Sequence, residues 1–276
     1  MPTNQRATTP LPIAATKTLA RRPLAALGIL FSQVWHTGHR PDLPSLTNQD
    51  PSAVLGDPGS PPLKVVLLGD SSVTAPGVHP LDECWARRIG HFLAARYHVK
   101  LVNLAVGGTR ASDLIRYQVA PAIAEAPDLA FVSVGANDAL RAVNVADYER
   151  DLTEILSRLS AHIPAVGMSG LGDLGPLPRL PNIGRAWATV RSRSFDRAIA
   201  RVCHSLDIPK TIAWGPMWDD FEDPDNEKGM YAADLFHASG RGHALFAEAW
   251  RQVIETMLEK AAPDLNARLE SSGSLR

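Results

Sequence analysis

Cysteine is scarce: the chain of 276 residues holds two, Cys84 and Cys203. Two thiols cannot build the disulfide framework that staples small secreted folds, and no Cys/His spacing of the zinc-binding kind occurs. Both cysteines fall in segments that read as helices, which suits small core residues; a single disulfide between them is the alternative. Net charge is nearly missing as well. Lys and Arg total 28 against 29 Asp and Glu, a formal charge of -1, so there is no electrostatic reason to expect a nucleic-acid partner. No apolar run approaches the roughly 20 residues of a membrane span, and no internal repeat is visible. What is present, 45% hydrophobic and 21% charged residues, is ordinary for a globular protein of one large domain or two small ones.

Residues 1–62 carry ten of the 22 prolines, with many Ser, Thr and Asn, and read as an extended N-terminal extension. Within it, PLAALGILFSQVW at 23–35 follows Arg21-Arg22. Its length and basic flank fit a signal-peptide core, although no small-residue cleavage site follows. An amphipathic helix on the domain and a segment holding the protein at a membrane surface are the other readings. Export or association with the cell envelope is favoured slightly over a cytoplasmic location. The final residues, 261–276, read as a tail.

From Leu63 to about residue 260 the texture changes. The run Val65-Val66-Leu67-Leu68 lacks polar alternation, as expected of a strand covered on both faces. Further strands are expected at 99–105, 129–135, 164–169 and 209–213. Helices are expected near 80–97, 110–125, 144–162, 185–205 and 239–260. This alternation implies a central parallel five-stranded sheet in an α/β fold with helices on both faces. Two connections, 170–184 and 214–234, exceed the usual α/β loop length.

The strand ends carry the chemistry. After the first comes Gly69-Asp70-Ser71-Ser72; after the second, Asn103 through Thr109 with Gly107-Gly108; after the third, Gly135-Ala136-Asn137-Asp138; beyond the fifth, Asp234-Leu235-Phe236-His237. In a parallel sheet these ends share one face. Alone, each is commonplace: a turn, a helix cap or a structural histidine. Together they are what acyl transfer needs. Ser71 needs an adjacent base to act as a nucleophile, His237 can take its proton, and Asp234 can orient the imidazole. The N–H groups of Ser71 and Gly108 and the amide of Asn137 can serve the oxyanion. Asp70 reads as a helix cap or a supporting partner, and Asp138 as a brace for the Asn137 loop.

On these motifs the sequence resembles the SGNH/GDSL hydrolases, from about Leu63 to Trp250, and within them an actinobacterial esterase subgroup with a similar proline-rich loop and N-terminal extension. Gly242-His243 also fits the resemblance. Ser72 and Ala238 depart from it, standing where leucine and proline are usual. The resemblance implies a flavodoxin-like three-layer α/β/α sandwich, Ser71, Asp234 and His237 as a triad, an oxyanion hole of Ser71, Gly108 and Asn137, and no cofactor. It implies hydrolysis of small-molecule esters, acylated sugars and lipids among them.

Around Ser71 the lipase elbow Gly-x-Ser-x-Gly is absent, and no Gly-x-Gly-x-x-Gly follows the first strand. Leu177, Leu180 and Ile183 in one long loop and Trp187 just beyond it, with Trp214, Met217, Trp218, Phe221 and Met230 in the other, are expected either to wall the substrate pocket or to pin the loops to the core. A modest pocket would suit short acyl groups. Two competing readings remain: a metal-dependent phosphoesterase using Asp70, Asn137, Asp138, Asp234 and His237 as ligands, and a non-catalytic binding module on the same fold.

Overall fold

The structure is a computed structural model that describes residues 40–223 and 225–273; the segment 23–35 lies outside the described residues. Residues from Asp42 onward form one compact unit. Its sheet has five strands: β1 Ala53–Leu55, β2 Pro62–Gly69, β3 His98–Asn103, β4 Leu129–Ser133 and β5 Ala165–Met168. Their spatial order is β1-β3-β2-β4-β5. Strands β3, β2, β4 and β5 are parallel, while β1 runs antiparallel along β3.

The helices are α1 Ser71–Thr74, α2 Trp85–Ala94, α3 Ala111–Tyr117, α4 Val119–Ala124, α5 Ala136–Leu140, α6 Val145–Ser160, α7 Asn182–Ser205 and α8 Gly240–Gly273. Successive residues of a strand face opposite ways, which explains the unbroken apolar run in β2. Val66 and Leu68 enter a core with residues of α3, α4, α6 and α7. Val65 and Leu67 enter the other core, with residues of α2 and α8. Cys203 belongs to the first core and Cys84 to the second; both thiols are free and buried.

The three-layer sandwich and the five-strand count match expectation, but one strand differs. Instead of 209–213, the fifth strand is Ala53–Leu55, inside the segment expected to be linker, so the sheet is mixed rather than wholly parallel. At 209–213 the chain makes a single bridge, Met168 to Lys210. Thr211 then accepts from the Gly170 N–H, and the Trp214 indole donates to the Leu171 carbonyl, so the segment turns its bonds toward the 170–174 loop. The helix expected over 110–125 breaks at Gln118, and α8 extends through the expected tail to Gly273.

The strand order has a consequence for function. From β2 the chain crosses to β3 on one side, and from β3 it returns past β2 to β4 on the other. Such a reversal opens a crevice at the carboxyl ends of the strands. Ser71 begins the turn leaving β2 at that point.

Candidate active site

Gly69 and Asp70 form the hub. Gly69 has φ +147°, and a Cβ there would lie 2.0 Å from the Ser133 carbonyl oxygen, so the close approach of β2 to β4 requires glycine. The Gly69 N–H donates to Gln118 Oε1 at 2.8 Å, and Gln118 Nε2 donates back to the Gly69 carbonyl at 2.9 Å. That carbonyl also accepts from the Val106 N–H and the Thr109 hydroxyl, so the glycine loop after β3 is bonded to the end of β2. Gln118 is buried, its side chain committed to the hub, and the helix break there follows from Pro121, which has no N–H to give the Tyr117 carbonyl. A glutamine in a helical stretch gives no sequence signal of this role.

Asp70, 1% exposed, caps α1 by accepting from the Ser72 N–H at 2.9 Å and accepts from Asn137 Nδ2 at 3.1 Å. It is therefore both cap and partner of the candidate oxyanion amide. Burial raises its pKa, against the lowering effect of those hydrogen bonds. Asp138 is also buried and accepts from the Ala111 N–H, tying the Asn137 turn to α3. Burial pushes its carboxyl up to about 6; the Ala111 bond opposes the shift and the Asp70 charge adds to it. The turn has a further brace in Tyr148, whose hydroxyl donates to the Val134 carbonyl at 2.9 Å. Helical periodicity marks Tyr148 as a core residue but says nothing of its hydroxyl.

Ser71 and His237 line one cleft of ≈ 460 Å³. His237 Nδ1 lies 2.6 Å from Asp234 Oδ2. Asp234 Oδ1 accepts from the N–H groups of Phe236 and His237 at 3.1 and 3.0 Å, in a turn where Leu235 takes φ +57°. Asp234 is only 3% exposed. Burial works to raise its pKa, but the bonds from the His237 ring and from backbone N–H groups prevail and hold it below the usual carboxylate value. Gly108, with φ +81°, sits in the loop bonded to Gly69.

Ser72 is separately engaged. Its hydroxyl lies 2.7 Å from that of Ser133, and its carbonyl accepts from the Trp85 indole at 2.7 Å. The Trp85 N–H in turn donates to Nδ1 of His243 at 3.3 Å. His243 is 1% exposed, and burial lowers its pKa to about 3, leaving the ring a neutral acceptor. Trp85 and His243 thus tether the turn after Ser71 from beneath. Trp85 reads as a core residue from sequence, and only the Gly242-His243 resemblance hinted at a role for His243.

Of the expected pocket residues, Leu177 and Trp218 line the cleft, with Trp214 and Phe221; Leu180 and Trp187 do not. Leu180 packs beside buried Leu177, Met230 and Tyr231, while Trp187 is 44% exposed on α7 with Arg191 over its ring. The reason is that Trp187 lies on the outer face of α7, as a residue of the expected 185–205 helix and not of the 170–184 loop. Ile183's side chain lies outside the described ones. The acids of the second loop are partly committed: Asp220 pairs with Lys228 and Arg241, and Asp223 accepts from the Lys228 N–H. Among the described residues no group of three or more His, Cys, Asp or Glu is placed to hold a metal ion. The oxygens of Asp70, Asp138 and Asp234 already accept from N–H groups. Among the described residues, no helix is long and apolar enough to cross a membrane.

A serine at the switch point of a flavodoxin-like sheet, in one cleft with a carboxylate-bound imidazole, describes an acyl-ester hydrolase. Residues 67–245 match the GDSL-like Lipase/Acylhydrolase family, and the chain belongs to it: the protein is a carboxylic ester hydrolase. No curated protein matches it in sequence. Solved structures with a similar fold include Axe2, an acetylxylan esterase from Geobacillus stearothermophilus, at TM-score 0.55 and 17% identity, covering 73% of this chain and 95% of that one. Esterase EstA from Pseudoalteromonas sp. gives TM-score 0.55 and 17% identity over 71% and 98% of the chains. TesA gives TM-score 0.56 and 20% identity over 72% and 99%.

Proposed function

We propose that the protein is a serine carboxylesterase acting on short-chain acyl or acetyl esters through an acyl-enzyme intermediate. Ser71 Oγ attacks the ester carbonyl while His237 Nε2 takes the hydroxyl proton. Asp234 holds Nδ1 and stabilises the imidazolium. The N–H groups of Ser71 and Gly108 and the amide of Asn137 receive the oxyanion. Collapse of the tetrahedral intermediate expels the alcohol, which His237 protonates, and water then repeats the sequence on the acyl-enzyme. The observation that carries this reading is the 2.6 Å contact of His237 Nδ1 with buried Asp234, in a residue whose ring also lines the cleft of Ser71. Asp70 supports it by holding Asn137 Nδ2 through one N–H, leaving the other free for substrate.

Leu177, Trp214, Trp218 and Phe221 supply apolar walls for the acyl group. An acylated sugar is a candidate substrate, in line with the acetylxylan esterase activity named for one structural neighbour; an acylated lipid is the other. We further infer export or cell-envelope association through residues 23–35, testable by fractionation of cells expressing the full chain and the chain lacking that segment.

The deciding experiment compares wild type with Ser71→Ala on a short-chain chromogenic ester, with and without chelator. Turnover that survives chelator and vanishes in Ser71→Ala is expected, as is stoichiometric labelling of wild type by a serine-directed phosphonate. Chelator-sensitive turnover would restore the metal reading.

A further inference from the structure

Residues 46–55 precede the region matched to the family, yet they contact α1, the turn after β3 and β3 itself. The Gln49 N–H donates to the Thr74 carbonyl at 2.8 Å, and Gln49 Nε2 donates to the carbonyls of Ala75 and Val78 at 2.6 and 3.0 Å. These bonds hold the carboxyl end of α1, where Ala75 takes φ +45°. Asn48 touches both loops. Its Oδ1 accepts from the buried Thr74 hydroxyl at 2.7 Å. The same amide sits against Gly107, where an added Cβ would lie 2.0 Å from Asn48 Oδ1. Farther on, the Ser52 hydroxyl accepts from the Asn103 N–H at 3.0 Å, and Ala53–Leu55 pairs with β3.

The geometry points to Asn48 as a positioning residue for ester hydrolysis: it spans the Ser71 turn and the Gly107-Gly108 turn and so sets the spacing of two oxyanion donors, the N–H groups of Ser71 and Gly108. This rests on the oxyanion reading above. Gly107 is glycine because the Asn48 amide occupies the space of its side chain. No φ in the left-handed region is involved at Gly107, so alanine there meets Asn48 and not backbone strain. Asn48 itself touches no reacting atom. Its effect falls on kcat, because donors a fraction of an ångström out of place weaken transition-state binding more than substrate binding.

The test is a cycle of four full-length proteins: wild type, Asn48→Ala, Gly107→Ala and the double variant, with Ser71→Ala assayed beside them on the same short-chain ester. Asn48 is exposed, so its truncation leaves a folded protein, which the melting temperature checks. Asn48→Ala is expected to lower kcat on the order of 10-fold with KM nearly unchanged. Gly107→Ala is expected to lower kcat too, and the double variant to be faster than Gly107→Ala alone, since removing the amide makes room for the methyl. Wild-type kcat in Asn48→Ala, or a double variant slowed by the product of the two single effects, overturns the inference while inactive Ser71→Ala leaves the serine reading standing. Wild-type turnover in Ser71→Ala overturns both.

Discussion

The two sides of the cleft are built differently. On one side, short turns leave β2 and β4, with the turn after β3 bonded behind them, and their polar groups are bonded into one another: Gly69 to Gln118, Val106 and Thr109, Asp70 to Ser72 and Asn137, Asp138 to Ala111. On the other, the long 170–184 segment presents aliphatic side chains and the 214–234 segment an aromatic wall. There Phe221 stacks on Phe246 at 5.7 Å between ring centres, and Trp218 tilts against both at 6.0 and 5.8 Å. Directional bonds fix donors to a fraction of an ångström, as an oxyanion hole requires. Ring contacts are nondirectional by comparison and tolerate exchange. The bonded side should therefore govern kcat, and the aromatic side KM and acyl preference.

The largest effects test the proposed reacting groups, Ser71 on the bonded side and Asp234 and His237 where the 214–234 segment ends. Ser71→Ala and His237→Ala should each lower kcat by several orders of magnitude, and Asp234→Ala less severely. Steady-state kinetics on one ester would show this, and equal losses in kcat and kcat/KM are expected, because proton transfer is a transition-state interaction. Next comes Asn137→Ala, with a drop on the order of 100-fold to 1,000-fold in kcat. Unchanged kinetics in that variant would remove Asn137 from the oxyanion hole and make its bond to Asp70 purely structural.

The same bonding has a cost in stability that pH exposes. The Asp138 carboxyl, 2% exposed, titrates at about 6 in the folded protein against an ordinary 3.8. The native state thus holds this proton more tightly than the unfolded chain. As pH rises from about 4 to about 6, the unfolded state ionises first, and stability falls by up to roughly 3 kcal/mol from this group. Asp70 is displaced in the same direction, also by burial. Urea unfolding between pH 4 and pH 7 should show wild type losing stability relative to Asp138→Asn, which keeps an acceptor for the Ala111 N–H but does not ionise. Parallel curves for the two proteins would mean that Asp138 contributes no such proton linkage.

The contrast also explains what the sequence could tell. Ser71 and Asn137 stand out because their residue types carry chemistry and each follows a strand, and Asp234 and His237 because an Asp-x-x-His pair carries chemistry even though no strand precedes it directly. The long apolar runs of β2 and β4 declare themselves through burial on both faces. Gln118, Tyr148 and Trp85 stay hidden because their contribution is one or two side-chain polar atoms aimed at a distant backbone group, which neither periodicity nor composition encodes. Ala53–Leu55 is too short, and too close to prolines, to show a pattern; only its pairing with β3 makes it a strand. Trp187 misleads for the opposite reason. A large apolar residue beside a loop looks like a pocket wall, but the helix beginning at Asn182 turns it to solvent.

The smallest expected effect falls on the aromatic wall and tests the other half of the contrast. Trp218 touches Phe221 and Phe246 and lines the cleft, and its indole N–H is buried without an acceptor. No directional bond is lost on truncation, so Trp218→Ala removes ring contact and little else. Contacts of this size are worth about 0.5–1.5 kcal/mol, so KM should rise by less than roughly tenfold while kcat stays close to wild type. Trp218→Phe keeps a ring and discards the unpartnered donor, and should behave as wild type. Assays across acetyl, butyryl and octanoyl esters would separate the two sides: Trp218→Ala should shift the preference among them, whereas Asn137→Ala should slow all three alike. A fall in kcat for Trp218→Ala comparable to that of Asn137→Ala would show that the aromatic side also positions the reacting groups, and the division between the two walls would fail.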